Sequence, residues 1–180
     1  ETLSLVDVLS NVKSTEVAIV ESLLLREEYA NQPTNIVGKG SLIDGPTLQL
    51  SGANGVDTFT IGANTYAIVA AFNDNGVQII DISDPDSPSP AGSLTDDTFL
   101  TLAGASDVDT FTIGANTYAI VAASNDNGVQ IIDISNPDSP SSAGSLTDDT
   151  FLTLAGANGV DTFTIGANTY AIVAAFNDNG

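Results

Sequence analysis

The chain repeats itself. The stretch from Val56 to Ile82, VDTFTIGANTYAIVAAFNDNGVQIIDI, returns as Val108 to Ile134 and again, in part, from Val160 onward. Gly52, Gly104 and Gly156 mark the same point in successive copies, so the period is 52 residues and ungapped. A fixed period of this length marks a repeat architecture, in which each unit is one supersecondary element that hides its apolar face only by stacking on a neighbour. The repeat constrains shape strongly and chemistry weakly.

Within a unit the pattern is that of strands. From Val56 to Ile61, Phe59 and Ile61 fall on one face while Thr58 and Thr60 fall on the other, the period of two that a half-buried strand shows. Gly62-Ala63-Asn64 predicts a short hairpin. Tyr66 to Phe72 is almost wholly apolar and rich in Ala, as suits a strand covered on both faces by close neighbours. Asn73-Asp74-Asn75-Gly76 predicts a second hairpin, because Asn-Gly readily takes the positive φ of tight turns. Val77 to Ile82 is β-branched and predicts a third strand. Asp84 to Pro90 carries three prolines and reads as a connection, since Pro has no N–H to give a ladder. Ala91 to Thr95 predicts a weak fourth strand, and Asp96 to Ala105 crosses to the next unit, with an extra strand at Phe99 to Leu102.

Four antiparallel strands per unit, with hairpin links inside and a crossing link outside, is the layout of a β-propeller blade. The segment GANTYAIVAAFNDNGVQIIDISDPDSP resembles the LVIVD repeat, whose units run tyAyVAdgdnGLqIiDvSDPsnP. That resemblance implies a β-propeller in a secreted bacterial or archaeal protein. The fold expected is therefore all-β, an incomplete arc of propeller blades. A β-solenoid is the alternative, because the unit is longer than the roughly 40 to 45 residues of a common blade.

Two regions follow. Residues 36–180 form the repeat array, entering in the last strand of a preceding unit, and NQPTN at 31 to 35 is turn chemistry that sets the boundary. Residues 1–35 form a stalk-like or linker segment. There ETLSLVDVLS is echoed by ESLLLREEYA, and the pattern resembles the Ser/Leu/Asp-rich repeats of surface proteins in marine ammonia-oxidising archaea. With fewer than three blades in view, the rest of a longer chain is expected to complete the fold. No Met is present, so residue 1 is not expected to be the native start.

Charge narrows the function classes. Lys13, Arg26 and Lys39 are the only cations against 23 acidic residues, a net charge of −20. Such a surface repels phosphate backbones and anionic lipid heads, so neither nucleic acid nor membrane contact is expected. His, Cys and Trp are all absent, which excludes His-assisted nucleophiles, Cys nucleophiles and zinc held by His or Cys.

The candidate site is a set of loop carboxylates. In a blade, the turn between the second and third strands lies on the same rim as the crossing link. That places Asp74 with Asp96 and Asp97, and Asp126 with Asp148 and Asp149, as oxygen ligands for Ca2+. The competing account is turn chemistry, because Asp, Asn, Ser and Pro are also what turns demand for backbone reasons. Asp84, Asp86 and Asp138 fall on the opposite rim, and Asp81 and Asp133 read as structural acceptors for a neighbouring strand. Tyr66, Tyr118 and Tyr170, with Phe59, Phe111 and Phe163, read as core rather than as a sugar ladder. Phe72 and Phe176 stand where the middle copy has Ser124, beside a turn, and mark a candidate contact face. The function expected is a non-catalytic, extracellular or cell-surface module that contacts protein or glycan. A carboxylate- and metal-dependent hydrolase-like propeller is the alternative.

Overall fold

A computed structural model describes residues 38–177, and the expectations for residues 1–35 lie outside them. Ten strands follow one another without an intervening helix among these residues. They are β1 (Ala53–Ile61), β2 (Asn64–Ala71), β3 (Gly76–Asp81), β4 (Ser89–Thr95), β5 (Ala105–Ile113), β6 (Asn116–Ala123), β7 (Gly128–Asp133), β8 (Ser141–Thr147), β9 (Ala157–Ile165) and β10 (Asn168–Ala175). β1 to β4 pair in sequence order as one antiparallel sheet, β5 to β8 as a second, and β9 with β10 as a third. Each four-stranded sheet is an up-and-down meander, the layout of a propeller blade and not of a parallel solenoid turn, and the third is the hairpin that opens such a blade.

Local chemistry sets the turns. β1 and β2 close through the two residues Gly62-Ala63, with Gly62 at φ 63°, and Asn64 already pairs with Ile61. A positive φ at the first loop position but not at the second, Ala63, is the signature of a type II′ hairpin, whose first position Gly enters without strain. The hairpin expected at Asn73 to Gly76 joins β2 to β3. Asn75 takes φ 54° at the end of a four-residue loop, while Gly76 opens β3 opposite Thr95.

Three further expectations are corrected. Phe99 to Leu102 is not a strand, because the Asp96 and Asp97 carboxylates and the Gln130 side chain take the backbone N–H groups that a ladder would use. β4 starts at Ser89 and so includes Pro90, which an edge strand beside a bulge accommodates. The leading strand is absent from residues 38–52, where an isolated Gly45–Leu48 bridge stands instead. A fourth strand needs a third one to pair with, and none lies before β1 among the described residues.

The core lies between the sheets. Phe59, Ile68, Ala70, Val77 and Ile79 of the first blade cluster with Leu102, Ala105, Val108, Ala119, Val121, Ile132 and Ile134 of the second. A smaller cluster joins Ile120, Ala122 and Val129 to Ala157 and Val160 of the third. The repeat supplies its own control. Val108 and Val160, each facing an earlier blade, are 4% and 8% exposed, whereas the equivalent Val56 is 63% exposed. Ile68 and Ile120, each facing a later blade, are 0% and 4% exposed, whereas Ile172 is 62% exposed. Identical residues are therefore dry only where a neighbouring blade covers them.

The blades also approach at backbone level. Gly92 of β4 donates its N–H to the Pro137 carbonyl oxygen at 2.8 Å, in the connection that follows β7. A Cβ at Gly92 would sit 2.6 Å from that oxygen and press on the Pro140 ring, while the equivalent Gly144 has nothing near it. Replacing Gly92 by Ala should lower unfolding free energy by about 1–3 kcal/mol, the usual cost of overpacking. Gly144→Ala should stay within about 0.5 kcal/mol of the parent in the same urea titration.

Candidate functional site: the acidic crossing links

The crossing link between β4 and β5 is anchored at one point and open at another. Leu102 is fully buried against the core, and Thr101 beside it donates its N–H to Gln130 Oε1 at 2.9 Å. The Gln130 amide in turn reaches the Ile131 and Gly144 carbonyls, so this buried side chain ties the link to β7 and β8. Gln78 performs the same task one unit earlier, accepting from Gln49 N–H and donating to the Ile79 and Gly92 carbonyls. A buried amide with its donors and acceptor all used stabilises, whereas an unpaired one costs a full desolvation.

The candidate metal ligands are placed as follows. Asp74 accepts from Ser51 N–H at 2.8 Å, and its counterpart Asp126 accepts from Ala103 N–H at 2.9 Å. Asp96 accepts from Leu102 N–H, and Asp148 from Leu154 N–H, at 3.0 and 2.8 Å. Asp97 accepts from Phe99 and Leu100 N–H, and Asp149 from Phe151 and Leu152 N–H, at 2.7 to 3.1 Å. Each of the six thus caps a turn of the link. Two of them meet, but not within the expected sets: Asp126 lies beside Asp96, the carboxylate at the start of the link that leads into its own blade. Among the described residues no three acidic side chains converge as a metal cage does.

Charge in the links follows from those contacts. Burial, first, and the neighbouring Asp96 carboxylate push the Asp126 carboxyl above its ordinary value, against the pull of the Ala103 N–H. The Phe151 and Leu152 N–H groups hold Asp149 below its ordinary value. Asp81 and Asp133 are likewise held low, by the Ser83 and Ser135 side chains and then their N–H groups. They are structural acceptors, but their partner lies two residues onward rather than on a neighbouring strand. On the opposite rim Asp84 accepts from Asp86 N–H, and Asp86 pairs with Lys39 at 2.9 Å.

The aromatic pairs sit across β1 and β2 and their equivalents. Phe59 and Tyr66 are register partners whose rings stack at 5.4 Å, and the other two pairs stack at 5.6 Å. Phe59 is 7% exposed where a blade covers it and Phe163 is 45% exposed where none does. Phe72 and Phe176 are exposed beside their turn, whereas Ser124 is buried and donates to the Gly104 carbonyl.

The sequence reading missed the residues that stitch one blade to the next. Asp57, inside β1, accepts both the N–H and the hydroxyl of Thr110 in β5, and Asp109 does the same for Thr162 in β9. Asn75 Oδ1 accepts from Gly104 N–H and Asn127 Oδ1 from Gly156 N–H, each at 2.8 Å across a blade boundary. An Asp in mid-strand, where the β pattern disfavours it, was the available signal.

Residues 64–96 and 116–148 match the LVIVD repeat model. The chain carries two tandem LVIVD repeats. Each LVIVD repeat runs from the first residue of β2 or β6, through the next two strands, to Asp96 or Asp148. β10 has the same sequence as the strand that opens each repeat, NTYAIVAA. No curated protein matches the chain.

The Asp96–Asp126 pair gives this site its pH dependence. A carboxyl whose folded pKa is raised stabilises the fold below its unfolded value of 3.8, and that stabilisation is lost as pH rises through the folded value. Asp81, Asp133 and Asp149 act in the reverse sense: their contribution is present above 3.8 and lost as pH falls through their depressed values. Asp126→Asn keeps an acceptor for Ala103 N–H and removes the repulsion. It should raise Tm by about 1–2 °C at pH 7, a small gain because solvent screens the pair. Calorimetry should show that gain shrinking as pH falls toward 3.8.

Proposed function

We propose that the chain is a non-catalytic module of a secreted or cell-surface protein, which presents the rim of its crossing links to a protein or glycan partner. The observation that carries this reading is the placement of Phe99 and Phe151. They occupy the same position in successive links and are 87% and 92% exposed. Each ring is held out by an Asp turn whose carboxylate fixes the Phe N–H itself. Aromatic rings offered to solvent beside carboxylates suit contact with a sugar face or an apolar protein patch.

The surrounding acidity supports the same reading. Six recurring carboxylates of the links and of the turns beside them spend an oxygen on backbone N–H groups, which is scaffold chemistry repeated from unit to unit. A net charge of −20 disfavours anionic partners and favours basic ones. Calcium enters this reading as a stabiliser where two carboxylates already meet, at Asp96 and Asp126.

The test is a binding screen of the chain against a glycan array and a panel of purified extracellular proteins, with the Phe99→Ser/Phe151→Ser double variant as control. The reading predicts saturable binding that the variant weakens by about tenfold or more. Its Tm should stay within about 2 °C of the parent, because both rings are already in water. Binding that is indifferent to both rings would remove the rim as the contact face. Turnover of a glycoside or ester that an Asp96→Asn change abolishes would favour the hydrolase reading instead. A rise in Tm with calcium that Asp126→Asn abolishes would support the stabilising ion, and no rise would remove it.

A further inference from the structure

The links that enter the second and third blades carry the same tip. Asp97 Oδ1 accepts from both Phe99 N–H and Leu100 N–H, and Asp149 Oδ1 accepts from both Phe151 N–H and Leu152 N–H. One oxygen of each carboxylate is fixed in this way, and Oδ2 has no partner among the described residues. The two rings stand in water, and Phe99 does so although a four-stranded blade lies on either side of its link. An exposed ring and an unspent carboxylate oxygen thus leave the chain two residues apart, once per link. The same N–H groups keep Asp149 ionised at neutral pH.

A link folds without this pair. The link into the first blade has Gly45 and Thr47 where the later ones have Asp97 with Phe99 and Asp149 with Phe151. Its framework is otherwise the same. Asp44 accepts from Leu50 N–H as Asp96 does from Leu102 N–H, and Gln78 accepts from Gln49 N–H as Gln130 does from Thr101 N–H. The Gly45 carbonyl also accepts from Leu48 N–H, as the Asp97 carbonyl does from Leu100 N–H. Ring and carboxylate are therefore present together or absent together, on a turn that needs neither.

We infer that each of these tips binds a guanidinium group, and that the two tips together take an arginine-bearing segment of a protein partner. This rests on the rim reading above and names the chemistry of its partner. A guanidinium lies flat on an aromatic face while its N–H groups reach a carboxylate beside the ring, which a compact ammonium does less well. A sugar asks for donors as well as acceptors, and the charged groups beside these rings only accept. Lys39, the one cation among the described residues, pairs with Asp86 on the opposite rim. Contacts of this kind are weak in water, so a partner with one Arg is held poorly and a partner that spans both tips gains through effective concentration.

The test uses the 180-residue chain and a peptide of tandem Arg-Gly-Ser units carrying an uncharged dye, followed by fluorescence polarisation, with a citrulline version as the neutral counterpart. The expected result is saturable binding of the Arg peptide and none of the citrulline peptide. Phe99→Ser/Phe151→Ser leaves the net charge unchanged and should weaken binding by about tenfold or more, as should Asp97→Asn/Asp149→Asn. Asp84→Asn/Asp138→Asn removes the same charge from the opposite rim and should change binding by less than about twofold. Equal binding by the parent and the Phe variant would overturn the inference, because bulk charge alone would then account for the attraction. Absence of saturable binding up to about 1 mM peptide would overturn it as well. Ring-dependent capture of a glycan or a neutral protein, with no hold on the Arg peptide, would overturn it and leave the rim reading standing. Indifference of every probe to the rings would remove both.

Discussion

Everything in this molecule depends on one sheet face being covered by the next. A four-stranded blade has two apolar faces and no helix to hide either, so it stays dry only by lying against another blade. The repeated sequence turns that statement into an observation. The same Val, Ile and Phe pass from buried to exposed according to whether neighbouring strands cover them, with no change in residue type.

Covering a face brings polar backbone with it, and the composition dictates how that backbone is satisfied. With 23 acidic residues and three cations, most carboxylates have no side-chain cation to meet. Their remaining partners are water, hydroxyls and N–H groups. The fold uses that surplus: Asp57 and Asp109 hold the facing strand of the next blade, Asp74 and Asp126 hold the link that enters their own, and Asp97 and Asp149 fix the tips. The Asp96–Asp126 contact shows the limit of this strategy, where two acceptors crowd and one of them is driven toward its protonated form.

Much of the architecture was legible beforehand, for identifiable reasons. Alternation of Phe59 and Ile61 with Thr58 and Thr60, an Ala-rich second strand and the Gly62 and Asn75 turns are local features, and local features declare themselves in sequence. The crossing link did not. Phe99 to Leu102 has the residues of a strand, and only the distant Gln130 side chain and the flanking Asp carboxylates withdraw its N–H groups from a ladder. Asp96, Asp97, Asp148 and Asp149 lie on the crossing links and Asp74 and Asp126 in the turns between second and third strands, but Asp126 meets the link entering its blade and not the one leaving it, a contact no local pattern reports. The role of Asp57 is not legible locally because its partner lies one full repeat away, a separation that no local pattern reports.

The central claim is that blade-on-blade burial, and not the strand sequence itself, stabilises the fold. It is tested most directly by deleting the same side chain from three identical strands, as Ile68→Ala, Ile120→Ala and Ile172→Ala, and measuring unfolding free energy in urea. The account predicts a loss of about 2–5 kcal/mol for each of the first two, the range for emptying a covered site, and less than about 1 kcal/mol for the third. Equal losses at all three positions would contradict it.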